Sequence, residues 1–191
     1  MFFNCLLTLA YFLNWKNLVK RIIYIISFLT LVSATPPQGP GYDTNAKIKS
    51  VFIYNFTKYI EWPKNYRQGN FIVGVLGESS LYKELENMAK TKKVANQDIE
   101  LVKFNDSKAI SNCHILIIPP DRSDELNNAI KQVKKNSTLI ITEKEGLTKE
   151  GAAINFIVQT NKQKFELSKT NVEKYNLKVN SSLESLAIVV N

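Results

Sequence analysis

The chain has 191 residues, 45% of them hydrophobic, with 25 basic and 17 acidic side chains, a formal net charge of +8 and two cysteines. It is too apolar for a disordered polymer, too poor in Gly and Pro for a collagen-like repeat, and too long and Cys-poor for a disulfide-stapled scaffold. One globular domain fits the length that remains after a targeting segment is set aside.

That segment comes first in chain order. Residues 1–34 hold no acid, their only charges are Lys16, Lys20 and Arg21, and residues 22–32 are apolar apart from Ser27, Thr30 and the Tyr24 hydroxyl. A basic stretch, a short apolar run and then Val32, Ser33 and Ala34 is the layout of an export signal cut after Ala34. The run after Arg21 is shorter than the roughly 20 apolar residues of a spanning helix, which favours cleavage. A second apolar stretch over residues 2–13 is foreign to an ordinary signal and leaves two alternatives, a true start further downstream or retention as an uncleaved anchor. With Lys16, Lys20 and Arg21 set aside, 22 of the 25 basic residues face 17 acidic ones, an excess of five. Nearly all are lysines interleaved with acids, and only Arg67 and Arg122 remain. Nucleic-acid grooves lean on arginine, so nucleic acid is not an expected partner, and the membrane is expected to be touched only through the signal.

Residues 35–42, with three prolines and two glycines, read as a linker ahead of a folded domain over 43–191. Ile48, Val51, Phe52, Phe56, Tyr59 and Ile60 fall at helical spacing and predict a helix over 43–62, capped by Asp43 or Thr44 and closed by Pro63. Residues 71–76 predict a buried strand ending at Gly77, followed by a helix through about Met88; 98–104 alternate as a strand. Residues 115–118 form a buried strand stopped by Pro119 and Pro120. Leu126, Ile130 and Val133 mark a helix over 121–135, and 138–142 a further apolar strand. Strands over 153–159 and 164–167, four residues apart, predict an antiparallel hairpin. Helices are expected over 168–175 and 181–190, the last capped by Ser181 and Ser182 and docked through Leu183, Leu186, Ala187 and Val190. The pattern predicts an α/β, three-layer domain: a mostly parallel central sheet of about six strands, an antiparallel hairpin at the C-terminal side, and helices on both faces.

Residues suited to chemistry are few. Cys5 falls in the export segment, leaving Cys113 alone at the head of an apolar β-branched run, where a thiol serves as a small buried hydrophobe. His114 is the sole histidine. One His beside one Cys falls short of the three or four ligands of a zinc site, and adjacent strand residues point to opposite faces, so they form no nucleophile–base pair. The turn over 74–80 lacks both a nucleotide fingerprint and a Walker lysine, and Ser79 reads as a helix N-cap. Glu143 and Glu145 lie at the carboxyl end of the third parallel strand, where open α/β sheets bind ligands, yet read as a solvated acidic turn. No enzymatic reaction, cofactor or metal is therefore expected. The first helix carries Phe52, Tyr54, Phe56, Tyr59 and Trp62, more aromatic area than one buried stripe needs; core packing is the simpler account and an interface the other. The closing helix is apolar enough to serve a partner or a homodimer.

The run KIKSVFIYNFTKYIEWP at 47–63 resembles the opening signature of the YfiR-like family of exported bacterial proteins. FIVGVLG at 71–77, CHIL at 113–116, GAAINF at 151–156, NKQKFEL at 161–167 and LKVNSSLESLA at 177–187 resemble its later motifs in order. The resemblance implies a mostly parallel sheet with helices on both faces and a non-catalytic periplasmic regulator. Such a regulator binds and represses an inner-membrane signalling protein of the diguanylate cyclase type, controlling cyclic di-GMP and biofilm formation. The expected partner surface comprises Tyr54, Phe56, Tyr59 and Trp62 on the first helix, Asn155, Lys164 and Glu166 in segment 155–166, and Leu183 on the last helix. The chain departs from the pattern at Ala152, where the family prefers glycine, at Ser168, where it prefers asparagine, and at Glu184 and Ser185 in an otherwise apolar run. Cys113 has no partner in the mature chain, so redox control through an intramolecular disulfide does not carry over. The alternative is a small-ligand sensor acting on a histidine kinase or a transport system, with its site at the strand ends near Gly77, Pro119 and Glu143.

Overall fold

The first helix, α1 (Thr44–Tyr59), buries Ile53 and Phe56 completely, and its Phe52 and Phe56 lie against Phe156 and Phe165, with ring centroids 5.0–6.2 Å apart. The computed structural model describes residues 44–190; the expected export segment, the linker and Asp43 lie outside the described residues. Helix α1 ends three residues short of its predicted limit because Ile60 and Glu61 form strand β1 (Ile60–Glu61), which pairs antiparallel with β9 (Lys178–Val179) as a separate ribbon.

The main sheet follows. Strand β2 (Phe71–Leu76) leads through α2 (Tyr82–Thr91) and the short β3 (Lys93–Val94) into β4 (Gln97–Phe104). Strand β5 (Ile115–Ile118) leads through a 3-10 turn and α3 (Leu126–Val133) into β6 (Leu139–Thr142). A hairpin, β7 (Ile154–Gln159) and β8 (Lys162–Ser168), is followed by α4 (Lys169–Lys174), β9, α5 (Ser181–Glu184) and β10 (Ile188–Val190). The eight strands run in the order β10-β8-β7-β6-β5-β2-β4-β3. Only the β7–β8 and β3–β4 pairs are antiparallel.

Burial explains why the apolar runs fold as strands in the middle of this order. Every residue of β5 and β6 is buried, which requires cover on both faces because successive side chains point to opposite sides. The crossover from β2 to β4 and that from β5 to β6 move in opposite directions along the sheet. Right-handed crossovers then place their helices on opposite faces, α1 and α2 packing together over one and α3 over the other. Register puts Phe71, Val73, Ile115, Leu139, Ile154 and Phe156 on the α1 face, and Gly74, Leu116, Ile140, Thr142 and Asn155 on the other. Gly74 admits no side chain: a Cβ there would lie 2.5 Å from the Phe104 ring.

Two expectations are corrected. The sheet has eight strands rather than about six, because β3 and β10 extend its edges. The helix expected over 181–190 is a single turn, capped by Asn180, whose side chain accepts from the Ser182 amide, rather than by the serines. Ile188 to Val190, β-branched throughout, pair parallel with β8 at Glu166 to Ser168 instead of continuing the helix, so the predicted stripe splits: Leu183 is buried and Leu186 is exposed. The β7–β8 connection is a two-residue turn, with Thr160 and Asn161 both at positive φ, 51° and 57°.

Candidate functional site

Of the aromatic residues singled out on the first helical segment, two belong to the core. Phe56 is 0% exposed, and Trp62 is 6% exposed, edge-on to Phe71 at 5.1 Å with its Nε1–H donating to the His114 carbonyl at 3.3 Å. Tyr54 and Tyr59 are half-buried. The Tyr54 hydroxyl donates to the Lys93 carbonyl, and the Lys58 ammonium sits 4.6 Å from its ring centroid.

The segment 155–166 divides in the same way. Asn155 shares the α3 face with Thr142 and is fully buried. Its Oδ1 accepts from the Thr142 hydroxyl at 2.9 Å, and its Nδ2 donates to Glu166 Oε2 at 3.1 Å, an oxygen that also accepts from Thr148. A buried polar network of this kind is costly to leave half-satisfied, and it fixes where β7 meets β6 and β8. Lys164 is half-buried and donates to Gln159. Leu183 is 1% exposed and docks α5. Phe56, Trp62, Asn155 and Leu183 thus face inward on a sheet or helix covered on that side, leaving Tyr54, Tyr59, Lys164 and Glu166 within reach of a partner.

Cys113 and His114 form no reactive pair. Burial pushes the Cys113 thiol up to about 12, keeping it protonated. His114 Nδ1 accepts from the Ile72 amide at 2.9 Å, so Nε2 carries the proton it gives to the Tyr66 carbonyl at 2.8 Å. The ring stacks on Phe71 at 4.3 Å, and burial holds its pKa below the ordinary imidazole value against the opposing pull of the Tyr66 carbonyl. Among the described residues no three His, Cys, Asp or Glu side chains converge as a metal ligand set.

The ends of the parallel strands hold two surprises. The chain leaves β2 and β5 in opposite directions, the place where ligands of open α/β sheets bind. Here Arg122 fills it, its Cγ 3.2 Å from where a Gly77 Cβ would stand. One Nη2 reaches the Asn105 carbonyl at 2.5 Å and Glu125 at 2.7 Å, while Glu125 also accepts from the Ser107 amide. Ser79 caps no helix: its Oγ accepts from the Leu81 amide in a turn ahead of α2. Glu143, expected in a solvated turn, is half-buried, its side chain 4% exposed and paired with Lys49 of α1 at 2.5 Å; Glu145 is exposed.

A further opening lies at the other end of the sheet. A groove of about 770 Å³ runs between the end of α1, β1 and the β3–β4 turn, lined by Tyr59, Trp62, Tyr66, Arg67, Gln97 and Lys178 among others. Tyr66, Arg67 and Gln97 carried no signal in the sequence, because they line one groove only after the segment holding Tyr66 and Arg67 is brought to the distant β3–β4 turn and β9.

Among the described residues no helix is long and apolar enough to cross a membrane. The model of the YfiR/HmsC-like family matches residues 46–188, from the third residue of α1 to the first residue of β10. No curated protein gives a significant match.

Proposed function

We propose, on the premise that the chain belongs to the YfiR/HmsC-like family, that it is a non-catalytic periplasmic regulator of a membrane signalling protein. The partner is an inner-membrane protein of the diguanylate cyclase type, bound through its periplasmic part and held inactive, with cyclic di-GMP and biofilm formation as the output. The family match over nearly all of the folded residues carries this reading. The geometry supports it, since the sole imidazole has both nitrogens committed to main-chain partners and the thiol is buried. The export layout of residues 1–34 supports the compartment, with residues 43–191 as the mature domain behind a linker. Repression follows from linkage: a protein that binds the inactive state of its partner more tightly shifts the population by that difference in affinity.

Tyr54, Tyr59, Lys164 and Glu166 are the side chains of the expected surface that a partner could reach. The test is capture of the periplasmic part of a cyclase or kinase encoded beside this chain, together with cyclic di-GMP in a deletion strain. Binding and a rise in cyclic di-GMP on deletion are expected; no binding and no change in output would overturn the reading. A second reading, a small-ligand sensor acting on a kinase or transport system, draws on the 770 Å³ groove rather than on the strand ends near Gly77, which Arg122 fills. A metabolite that raises the melting point of the wild type but not of Arg67→Ala would favour it.

A further inference from the structure

Pairing between β6 and β7 stops at Thr142 and Asn155, whereas β7 continues to Gln159, bonded to β8 along its other edge throughout. On the β6-facing edge, every second residue of 156–159 presents main-chain groups to which no strand bonds among the described residues, the others pointing to β8. Such an edge is a template for one more strand. A cleft of about 310 Å³ runs beside it, with Phe156 to Gln159 on one side and Lys49, Glu143 and Glu145 on the other.

Three features of the cleft select what would fill it. Register puts Phe156, Val158 and Gln163 on the α1 face, and Val158, in the middle of the free edge, is 65% exposed. Gln163 spends its Nε2 on the Ile157 and Lys164 carbonyls, which leaves its Oε1 buried without a donor. The far wall carries two carboxylates against one ammonium: Glu143 is paired with Lys49, and Glu145 is exposed and in no ion pair among the described residues. The wall is therefore net negative.

We propose that this cleft accepts an extended segment of the regulated partner that adds as a strand to the free edge of β7, placing a Lys or Arg toward Glu145 and an apolar side chain on Val158. The proposal rests on the reading that the protein acts by binding a partner protein, and names how it does so. Main-chain bonds along residues 156–159 supply affinity, and the alternating apolar and basic side chains supply selectivity.

The test is hydrogen exchange of the full chain with a blocked hexapeptide alternating valine and lysine. Slower exchange at the edge-facing amides within 156–159 is expected, with affinity lowered about fivefold by Glu145→Lys, the scale of one rim ion pair. An analogue with glutamate for lysine, and one N-methylated at alternate residues, should each bind about tenfold more weakly. Glu145 is exposed, so its variant keeps the fold. No protection at 156–159, or equal binding of the glutamate peptide, would overturn the proposal. Protection that grows with protein concentration without peptide would also overturn it, by assigning the edge to a second copy of the chain. These outcomes are read without any signalling assay, so failure here leaves the regulatory reading standing, and an unresponsive cyclic di-GMP level would leave the cleft standing.

Discussion

His114 is held at both ring nitrogens by main-chain groups, which makes it a sensor of acid. A second proton would have to sit on Nδ1, pointing at the Ile72 amide that Nδ1 now accepts. The folded protein therefore refuses that proton to a lower pH than the unfolded chain, whose imidazole titrates near 6.5. Where the unfolded state binds more protons, stability rises with pH, so this contribution is complete above about 6.5 and is lost as pH falls below it. The urea midpoint is expected to drop between pH 7.5 and 5.5, and much of that drop should vanish in His114→Gln. At pH 7.5 the same variant should cost about 1–3 kcal/mol, because one of the two buried main-chain groups loses its partner. An equal drop in both proteins would refute the assignment. Neighbouring Cys113 was legible in sequence, since a thiol heading an apolar β-branched run has one natural place. The role of His114 was not, because its partners Tyr66 and Ile72 are brought to it only by the docking of β5 beside β2.

At the scale of elements, legibility followed how many faces were covered. The runs at β2, β5 and β6 announce themselves because both sides of those strands are buried, and no periodicity is needed to find them. The closing segment was misread because Leu183, Leu186, Ala187 and Val190 satisfy a helical period; what decides against the helix is a vacant place beside β8, which no local pattern reveals. The same limit hid the link between α1 and the end of β6. Lys49 reads as one more surface lysine and Glu143 as a polar turn, yet they meet at 2.5 Å across 94 residues with the carboxylate out of water. Removing one member of a part-buried pair strands the other charge, so Lys49→Met is expected to cost about 2 kcal/mol in urea unfolding, below the cost of a fully buried pair. The double variant Lys49→Met, Glu143→Gln should recover at least about 1 kcal/mol of that loss, as coupled neighbours do. Strict additivity would show that the pair does not tie α1 to the sheet.

For the whole molecule, the eight-stranded sheet, the three major helices and the β1–β9 ribbon share one core, and the ribbon is its test. Strand β1 joins the end of α1 to β9, and Asn180 donates its amide to the Tyr59 carbonyl, so the end of the first helix is bonded to the segment ahead of α5. Trp62 follows directly after β1, buried against Phe71 and bonded to the carbonyl of His114, which immediately precedes β5. It is one of two tryptophans in the chain, the other being Trp15, so a protein comprising residues 43–191 reports through Trp62 alone. Such a protein is expected to unfold in urea as a single transition, with Trp62 fluorescence and far-ultraviolet circular dichroism coincident, since a domain of this size with one core opens all at once. Deleting the last strand and α5 by ending the chain at Asn176 removes β9, the partner of β1, along with the docking of Leu183. The Trp62 signal should then be lost at lower urea than the sheet signal. If instead the two probes stay coincident in the truncated chain, the ribbon is an appendage, and the large groove beside it, with any ligand it holds, has no leverage on the rest of the fold.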